Sequence, residues 1–99
     1  MRAAPITALL AAALAMTACG TTAKHEPAAL FQQNCGSCHA IAKGDLSPVA
    51  AAPNLYDLHP SREQIADAVA HGRPGMPRRL LVGGDLEQAI EYILQETSR

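Results

Sequence analysis

Two cysteines and a histidine that could hold a cofactor lie within five consecutive positions, Cys35-Gly36-Ser37-Cys38-His39. In a C-x-x-C-H segment, one turn of chain can present both sulfurs to the two vinyl groups of one porphyrin. The adjacent histidine then lies beneath the iron as its proximal ligand. The spacing therefore predicts haem c, one per chain, bound covalently through Cys35 and Cys38 and ligated by His39.

A haem iron with one histidine ligand has a sixth position that a protein side chain can fill. Met76 is the one methionine beyond the first eighteen residues, and it lies between Gly75 and Pro77. A methionine that only fills a core normally lies on a periodic apolar face, and Met76 does not. We therefore predict Met76 as the second axial ligand. Three histidines compete for this role and are interpreted as surface residues: His25, His59 and His71.

Two other kinds of site could use the same residues. A structural zinc ion needs four ligands, and Cys35, Cys38 and His39 have no second pair spaced to complete the set. A thioredoxin-like cysteine pair needs a βαβ context, which the sequence lacks. A net charge of −1 shows no basic footprint for nucleic acid. We also find no phosphate-binding glycine loop or Ser/His/Asp set, so no small-molecule substrate is expected.

The N-terminal residues 1–18 have the pattern of an export signal. Arg2 is followed by an apolar run and then by small residues, and the run is too short to span a bilayer. Residues 16–19 (MTAC) resemble the lipobox of bacterial lipoproteins, in which the cysteine is diacylated and becomes the N-terminus. This resemblance implies a lipid anchor at Cys19, in the periplasm or on the outer face of a bacterial membrane. The alternative is ordinary cleavage, with Cys19 a spare thiol.

The remaining chain is predicted to form a flexible tether over residues 19–27 and one domain over residues 28–99. Residues 28–34 are predicted to be helical. Ser61, with Gln64 three residues later, predicts a capping box at the start of a second helix, which ends at His71-Gly72. Gly84-Asp85, again with a glutamine three residues after the acid, predicts the start of the last helix. Its buried stripe is predicted to be Leu86, Ala89, Ile90 and Ile93.

The predicted fold class is all-α, with three main helices and long loops around one covalent haem. Loops of such length are uncommon in a compact domain unless something packs inside them. The chain has one Phe, two Tyr and no Trp, so its core is thin. A haem would supply the missing apolar volume.

Over about residues 27–97, the chain resembles the small bacterial class I cytochromes c. Besides the haem motif, the matching features are an aromatic residue four positions before the first haem cysteine, a Pro-Asn-Leu turn and a G-x-x-x-M-P loop. These features correspond to Phe31, Pro53-Asn54-Leu55, and Gly72 with Met76-Pro77. The resemblance implies the cytochrome c fold. It also implies that the Pro53 carbonyl accepts the N–H of His39.

The function expected from this resemblance is that of a membrane-tethered electron carrier rather than an enzyme. Arg73, Arg78 and Arg79 cluster around Met76, and we expect them to form a docking rim for an acidic redox partner. One alternative is a cytochrome c subunit of a larger membrane or periplasmic oxidoreductase. A further alternative is a haem peroxidase or gas sensor, which would require an iron that Met76 leaves open.

Overall fold

The computed structural model describes residues 26–99. Within them the chain forms four helices, which are α1 (Pro27–Asn34), α2 (Leu55–Leu58), α3 (Arg62–His71) and α4 (Gly83–Thr97). The described residues contain no β-strand, only an isolated antiparallel bridge between Arg73 and Met76. The expectation of an all-α fold with three main helices is confirmed, and the single turn α2 is added to it.

Several sequence predictions concern residues outside this range. The signal peptide over residues 1–18, the lipid site Cys19, most of the tether and His25 lie outside the described residues. Between residues 26 and 99, no helix is both long enough and apolar enough to cross a membrane.

The boundaries of α3 follow local capping rules. The Ser61 side chain accepts the backbone N–H of Gln64 at 3.1 Å, and the Gln64 side chain accepts the backbone N–H of Ser61 at 2.7 Å. This reciprocal pair satisfies two N–H groups that the first turn of a helix leaves without partners. At the other end, the Gly72 N–H donates to Ala68 and closes the helix. The predicted capping box and the predicted end of α3 are confirmed.

Two helix starts differ from the sequence prediction. Helix α1 begins at Pro27, one residue earlier than predicted, because proline is well tolerated in the first turn, where its missing N–H has no partner to lose. Helix α4 begins at Gly83 after an extended Val82, with no side-chain cap. The predicted start at Gly84-Asp85 is therefore one residue late, and the N-cap is Val82. Asp85 lies inside the first turn, where the helix dipole also favours a carboxylate.

The core is centred on the crossing of α1 and α4, which is the most extensive helix contact in the described part of the chain. Phe31 of α1 and Ile90 of α4 are each 1 % exposed. The Phe31 ring also lies beside Tyr92, with centroids 5.7 Å apart. Of the predicted stripe on α4, Leu86 is only half-buried. The buried cluster comprises Leu30, Phe31, Leu55, Ile65, Val69, Leu81, Ala89, Ile90 and Ile93.

Helix α3 is joined to α4 by a charged contact at the surface. The Arg62 guanidinium donates to Glu87 at 2.7 Å and also to Glu91. Arg62 lies at the start of α3, so the contact holds this end of the helix against α4. The opposite end of α3, at His71, leads directly into the loop that contains Met76.

Candidate functional site

The haem motif is a single turn of chain attached to the end of α1. The N–H groups of Cys35 and Gly36 both donate to the carbonyl of Phe31, at 2.7 and 2.8 Å. The next turn is closed by the N–H groups of Cys38 and His39, which donate to the carbonyl of Cys35 at 3.1 and 2.9 Å. The buried ring of Phe31 thus anchors the turn to the core. As predicted from spacing, the three candidate side chains extend from one turn.

Cys35 and Cys38 form no disulfide bond, and each is half-buried. Burial, together with the nearby Cys38, raises the pKa of the Cys35 thiol to about 11. A reactive redox thiol needs a lowered pKa, because the thiolate is the nucleophile. Cys35 therefore has the opposite electrostatic environment from that of a thioredoxin-type cysteine.

His39 makes one hydrogen bond that determines its tautomer. Its Nδ1 atom lies 2.7 Å from the carbonyl oxygen of Pro53. A carbonyl oxygen can only accept, so Nδ1 must carry the proton and donate it. The lone pair of the imidazole is then on Nε2, which is the atom left to bind a metal. A hydrogen bond of this kind also fixes the ring orientation and increases the basicity of the ligand.

Asn54, which directly follows Pro53, makes three side-chain hydrogen bonds that were not expected from the sequence. Its side-chain oxygen accepts the N–H of Tyr56 at 2.8 Å and so caps α2. Its side-chain nitrogen donates to the carbonyls of Ala42 and Asp45, at 2.9 and 2.8 Å. One side chain therefore joins α2 to the loop that follows the haem motif. The only signal in the sequence is the position of Asn54 before a helix, which is typical of an N-cap.

The loop over residues 40–52 is closed by three hydrogen bonds, one of which reaches the haem motif. The N–H of Ala40 donates to the Ser47 hydroxyl at 3.0 Å, and the N–H of Leu55 donates to the carbonyl of Ala40 at 2.9 Å. The N–H of Val49 reaches the carbonyl of Cys38 at 3.3 Å. These bonds bring residues 53 and 54 back to the haem motif.

Met76 lies at the end of a tight turn between α3 and α4. Arg73 and Met76 exchange two backbone hydrogen bonds, with N–H to oxygen distances of 3.0 and 2.7 Å. Pro74 and Gly75 occupy the two central positions of this turn, and Gly75 has φ of +81°. Proline followed by a residue with positive φ is the pattern of a type II turn. Pro74 and Gly75 thus restrict the backbone conformation of the turn that leads to Met76.

The thioether lies at the edge of the core. Met76 is half-buried and packs against the same buried cluster as Cys35. The structure therefore places the predicted distal ligand and one predicted haem cysteine on the surface of one core.

The loop that contains Met76 (residues 72–79, here called the distal loop) is attached to α3 at two points besides the bond from the Gly72 N–H to Ala68 that ends the helix. The N–H of Arg79 donates to the carbonyl of Val69 at 2.6 Å. The Arg73 guanidinium donates to the Asp67 carboxylate at 2.8 Å. Asp67 was not among the residues singled out in the sequence, because a surface aspartate on a helix has no local signal for such a role.

The other candidate side chains have different surroundings. His59 and His71 are exposed. The Nδ1 of His59 lies near the carbonyl of Tyr56 in the preceding helix α2, and the Nδ1 of His71 lies near that of Asp67 in its own helix α3. Arg78 and Arg79 are also exposed, and within residues 26–99 neither takes part in an ion pair. Arg73 differs from both, because its positive charge is paired with the carboxylate of Asp67.

The donor set fits a covalently held haem. It provides two half-buried thiols and an imidazole with an available Nε2 on one turn, and a thioether on a shaped loop. In the described part of the chain, no group of three or more His, Cys, Asp or Glu residues is arranged to hold a metal ion. The four-ligand set that structural zinc requires is therefore not found between residues 26 and 99.

Comparison with known proteins gives one match. The family model described as "Cytochrome C oxidase, cbb3-type, subunit III" matches residues 22–93, which is more than half of the chain. No curated protein and no solved structure matches it. The matched range contains every predicted cofactor-binding residue, from Cys35 to Met76.

Proposed function

This chain belongs to the family of c-type cytochromes described as cytochrome c oxidase, cbb3-type, subunit III, and we propose that it is a lipid-anchored electron carrier with His39 and Met76 as iron ligands. Members of this family carry covalent haem c, typically one per domain, and the protein is accordingly an electron-transferring c-type cytochrome. When bound, the haem supplies reversible one-electron exchange at its iron. The ligands and the anchor are the parts that we propose.

The observation that carries the ligand assignment is the contact of His39 with Pro53. At 2.7 Å, this hydrogen bond keeps the proton on Nδ1 and leaves Nε2 for the iron. Cys35 and Cys38 would hold the haem on the same turn. Met76 would complete the coordination from the distal loop, and a thioether ligand favours the reduced iron and raises the potential. The task of the chain is then to hold these ligands in place in both redox states.

The optical spectrum of the haem-loaded protein tests this assignment. We expect a low-spin haem attached by thioether bonds, with the weak far-red band of methionine-bound ferric iron. Met76→Ala should abolish that band and let carbon monoxide bind rapidly to the reduced protein. His59→Ala is the matched control, because His59 is exposed and lies outside the distal loop, and it should leave the band unchanged. A far-red band that survives in Met76→Ala would exclude Met76 as the ligand.

The membrane anchor rests on the lipobox-like residues 16–19. Diacylation of Cys19 would leave a short tether before α1, which begins at Pro27. Seven residues of extended chain span at most about 25 Å, so the domain would stay close to the bilayer surface. Mass spectrometry of the membrane fraction should find a diacylated N-terminal Cys19, and Cys19→Ser should release the protein. An unmodified cysteine in the membrane fraction would contradict the proposal.

Docking to an acidic redox partner is proposed at the distal loop. Arg78 and Arg79 are exposed there, whereas Arg73 is paired with Asp67. Arg78→Gln and Arg79→Gln should therefore slow electron transfer with the physiological partner more than Arg73→Gln does. The rate should also fall as salt increases, because salt screens such steering. A rate independent of salt would show that these arginines do not steer docking.

A second candidate function is that of a subunit in a larger oxidoreductase. The family description names a subunit of the cbb3-type oxidase, and that observation favours this alternative. Purification in mild detergent separates the two proposals. A free carrier should elute alone, whereas a subunit should co-purify with other chains in fixed proportion.

A further inference from the structure

We infer that Asp67 is a positioning residue for Met76, and that its ion pair with Arg73 fastens the distal loop in the ligating conformation. The inference rests on the proposed ligation of iron by Met76 and goes beyond it, because it assigns a role to a residue outside the haem-binding motifs. Asp67 lies on α3, nine positions before Met76 in the chain.

The Asp67 carboxylate uses both of its oxygens. Its Oδ2 accepts from Nη2 of Arg73 at 2.8 Å, and its Oδ1 lies 3.0 Å from Nδ1 of His71. The second guanidinium nitrogen of Arg73, Nη1, donates to the carbonyl of Gly72 at 2.7 Å. The guanidinium is thus held between α3 and the first residue of the distal loop. Both terminal nitrogens of the guanidinium therefore have a fixed partner.

The position of Arg73 determines that of Met76. The two residues exchange both of their backbone hydrogen bonds across the turn, so Met76 must move if Arg73 leaves α3. The other end of the distal loop is held by the N–H of Arg79, which donates to Val69. The start of the loop is thus held to α3 by Asp67 and by the bond from the Gly72 N–H to Ala68, and its end is held by Val69, with Met76 between them.

The effect should appear in the opening of the loop rather than in global stability. The side chains of Asp67 and Arg73 are 57 % and 48 % exposed, and an exposed ion pair contributes little to folding. Local opening of a loop, however, requires far less free energy than unfolding. A small loss of free energy at this point multiplies the population of the open loop, because an equilibrium constant depends exponentially on free energy.

Binding of carbon monoxide to the reduced holoprotein measures this population, because Met76 must leave the iron first. Asp67→Asn should accelerate binding about two- to fivefold, the range expected for one exposed ion pair. Arg73→Gln should do the same, and the double variant should be no faster than either single variant, because all three lack the same contact. Glu63→Gln is the matched control, since it removes one carboxylate from the first turn of α3 and should leave the rate unchanged.

Hydrogen exchange provides an independent readout of the same event. The amides of Met76 and Arg79 should exchange faster in Asp67→Asn holoprotein than in the wild type, and those of α1 should not. Unchanged carbon monoxide binding and unchanged exchange in Asp67→Asn would overturn the inference. Additive effects in the double variant would also overturn it. Absence of the far-red band from the wild type would instead overturn the ligation by Met76, so the two failures are distinguishable.

Discussion

A Cβ atom placed on Gly72 would lie 2.7 Å from the carbonyl oxygen of Met76. It would also lie 3.2 Å from the backbone nitrogen of Arg78, and neither atom can rotate away. Gly72 has φ of +76° and ψ of 176°, a region that glycine alone normally occupies. The close approach of the chain to itself at this point explains why the distal loop begins with glycine.

Gly72→Ala should therefore open the distal loop. The backbone strain costs about 1–3 kcal/mol, and the contact with Met76 adds to it. We expect a lower free energy of unfolding for the holoprotein in denaturant and a weakened far-red band. Gly75→Ala is the control, because Gly75 also has positive φ but no atom beyond its two chain neighbours lies within 4 Å of its Cβ position. Equal losses in the two variants would show that the contact with Met76 contributes nothing.

Asn54→Asp should disturb the support of His39 while keeping the shape of the side chain. The carboxylate can still accept the N–H of Tyr56, but it cannot donate to the carbonyls of Ala42 and Asp45. Loss of these two hydrogen bonds should lower the free energy of unfolding by about 1–3 kcal/mol. The redox potential should also shift, because the Pro53 carbonyl that orients His39 is less well held.

Asn34→Asp makes the same chemical change at a residue that donates only one such bond, to Leu30 at 3.0 Å. Its effect on the free energy of unfolding should be smaller than that of Asn54→Asp. A potential that shifts equally in the two variants would contradict a specific role of Asn54 in the orientation of His39. A redox titration followed by optical spectroscopy measures the potentials of the two variants.

Ile90→Val tests the crossing of α1 and α4. Removal of one buried methylene from a residue that is 1 % exposed should lower the free energy of unfolding by about 0.5–1.5 kcal/mol. The haem spectrum should not change, because Ile90 supports the motif only through Phe31 and the core. Val82→Ala is the control at a position that is 59 % exposed, and should change stability by less than about 0.5 kcal/mol. Comparable losses would contradict this location of the core.

The ion pair of Asp67 predicts a pH dependence of stability with a defined sign. The hydrogen bond from Arg73, followed by the charge of His71, lowers the pKa of Asp67 in the folded protein. The resulting stabilisation is fully present above the pKa of the unfolded aspartate, about 3.9. It is lost as the pH falls through the lower pKa of the folded state.

The direction of this pH dependence can be checked by denaturant unfolding of the wild type and of Asp67→Asn, measured from neutral to acid pH. The difference in free energy of unfolding should shrink on acidification below about pH 4, where the Asp67 carboxylate becomes protonated. High salt should reduce it as well, because the pair is exposed. A difference that grows as the pH falls would contradict the assigned direction.

Features that depend on neighbouring residues could be determined from the sequence. The C-x-x-C-H turn, the capping box of Ser61 and Gln64, and the periodic stripe on α4 follow from the geometry of one helical turn. The same local rules were insufficient at Val82, where α4 begins without a side-chain cap. An acid in the first turn and an acid at the N-cap are both favourable, so the pattern around Asp85 could not separate them.

Contacts between distant residues were decided by the tertiary structure alone. His39 and Pro53 are fourteen positions apart, and only the resemblance to a known family suggested their contact. Asn54 with Ala42 and Asp45, and Asp67 with Arg73, had no signal in the sequence. Such contacts form only when the chain between the two residues closes into a loop. The packing of the whole core determines which loops close and therefore which polar atoms come into contact. The sequence by itself thus determined the kind of cofactor and predicted the residues that would bind it, whereas the packed fold decided which neighbours contact those residues.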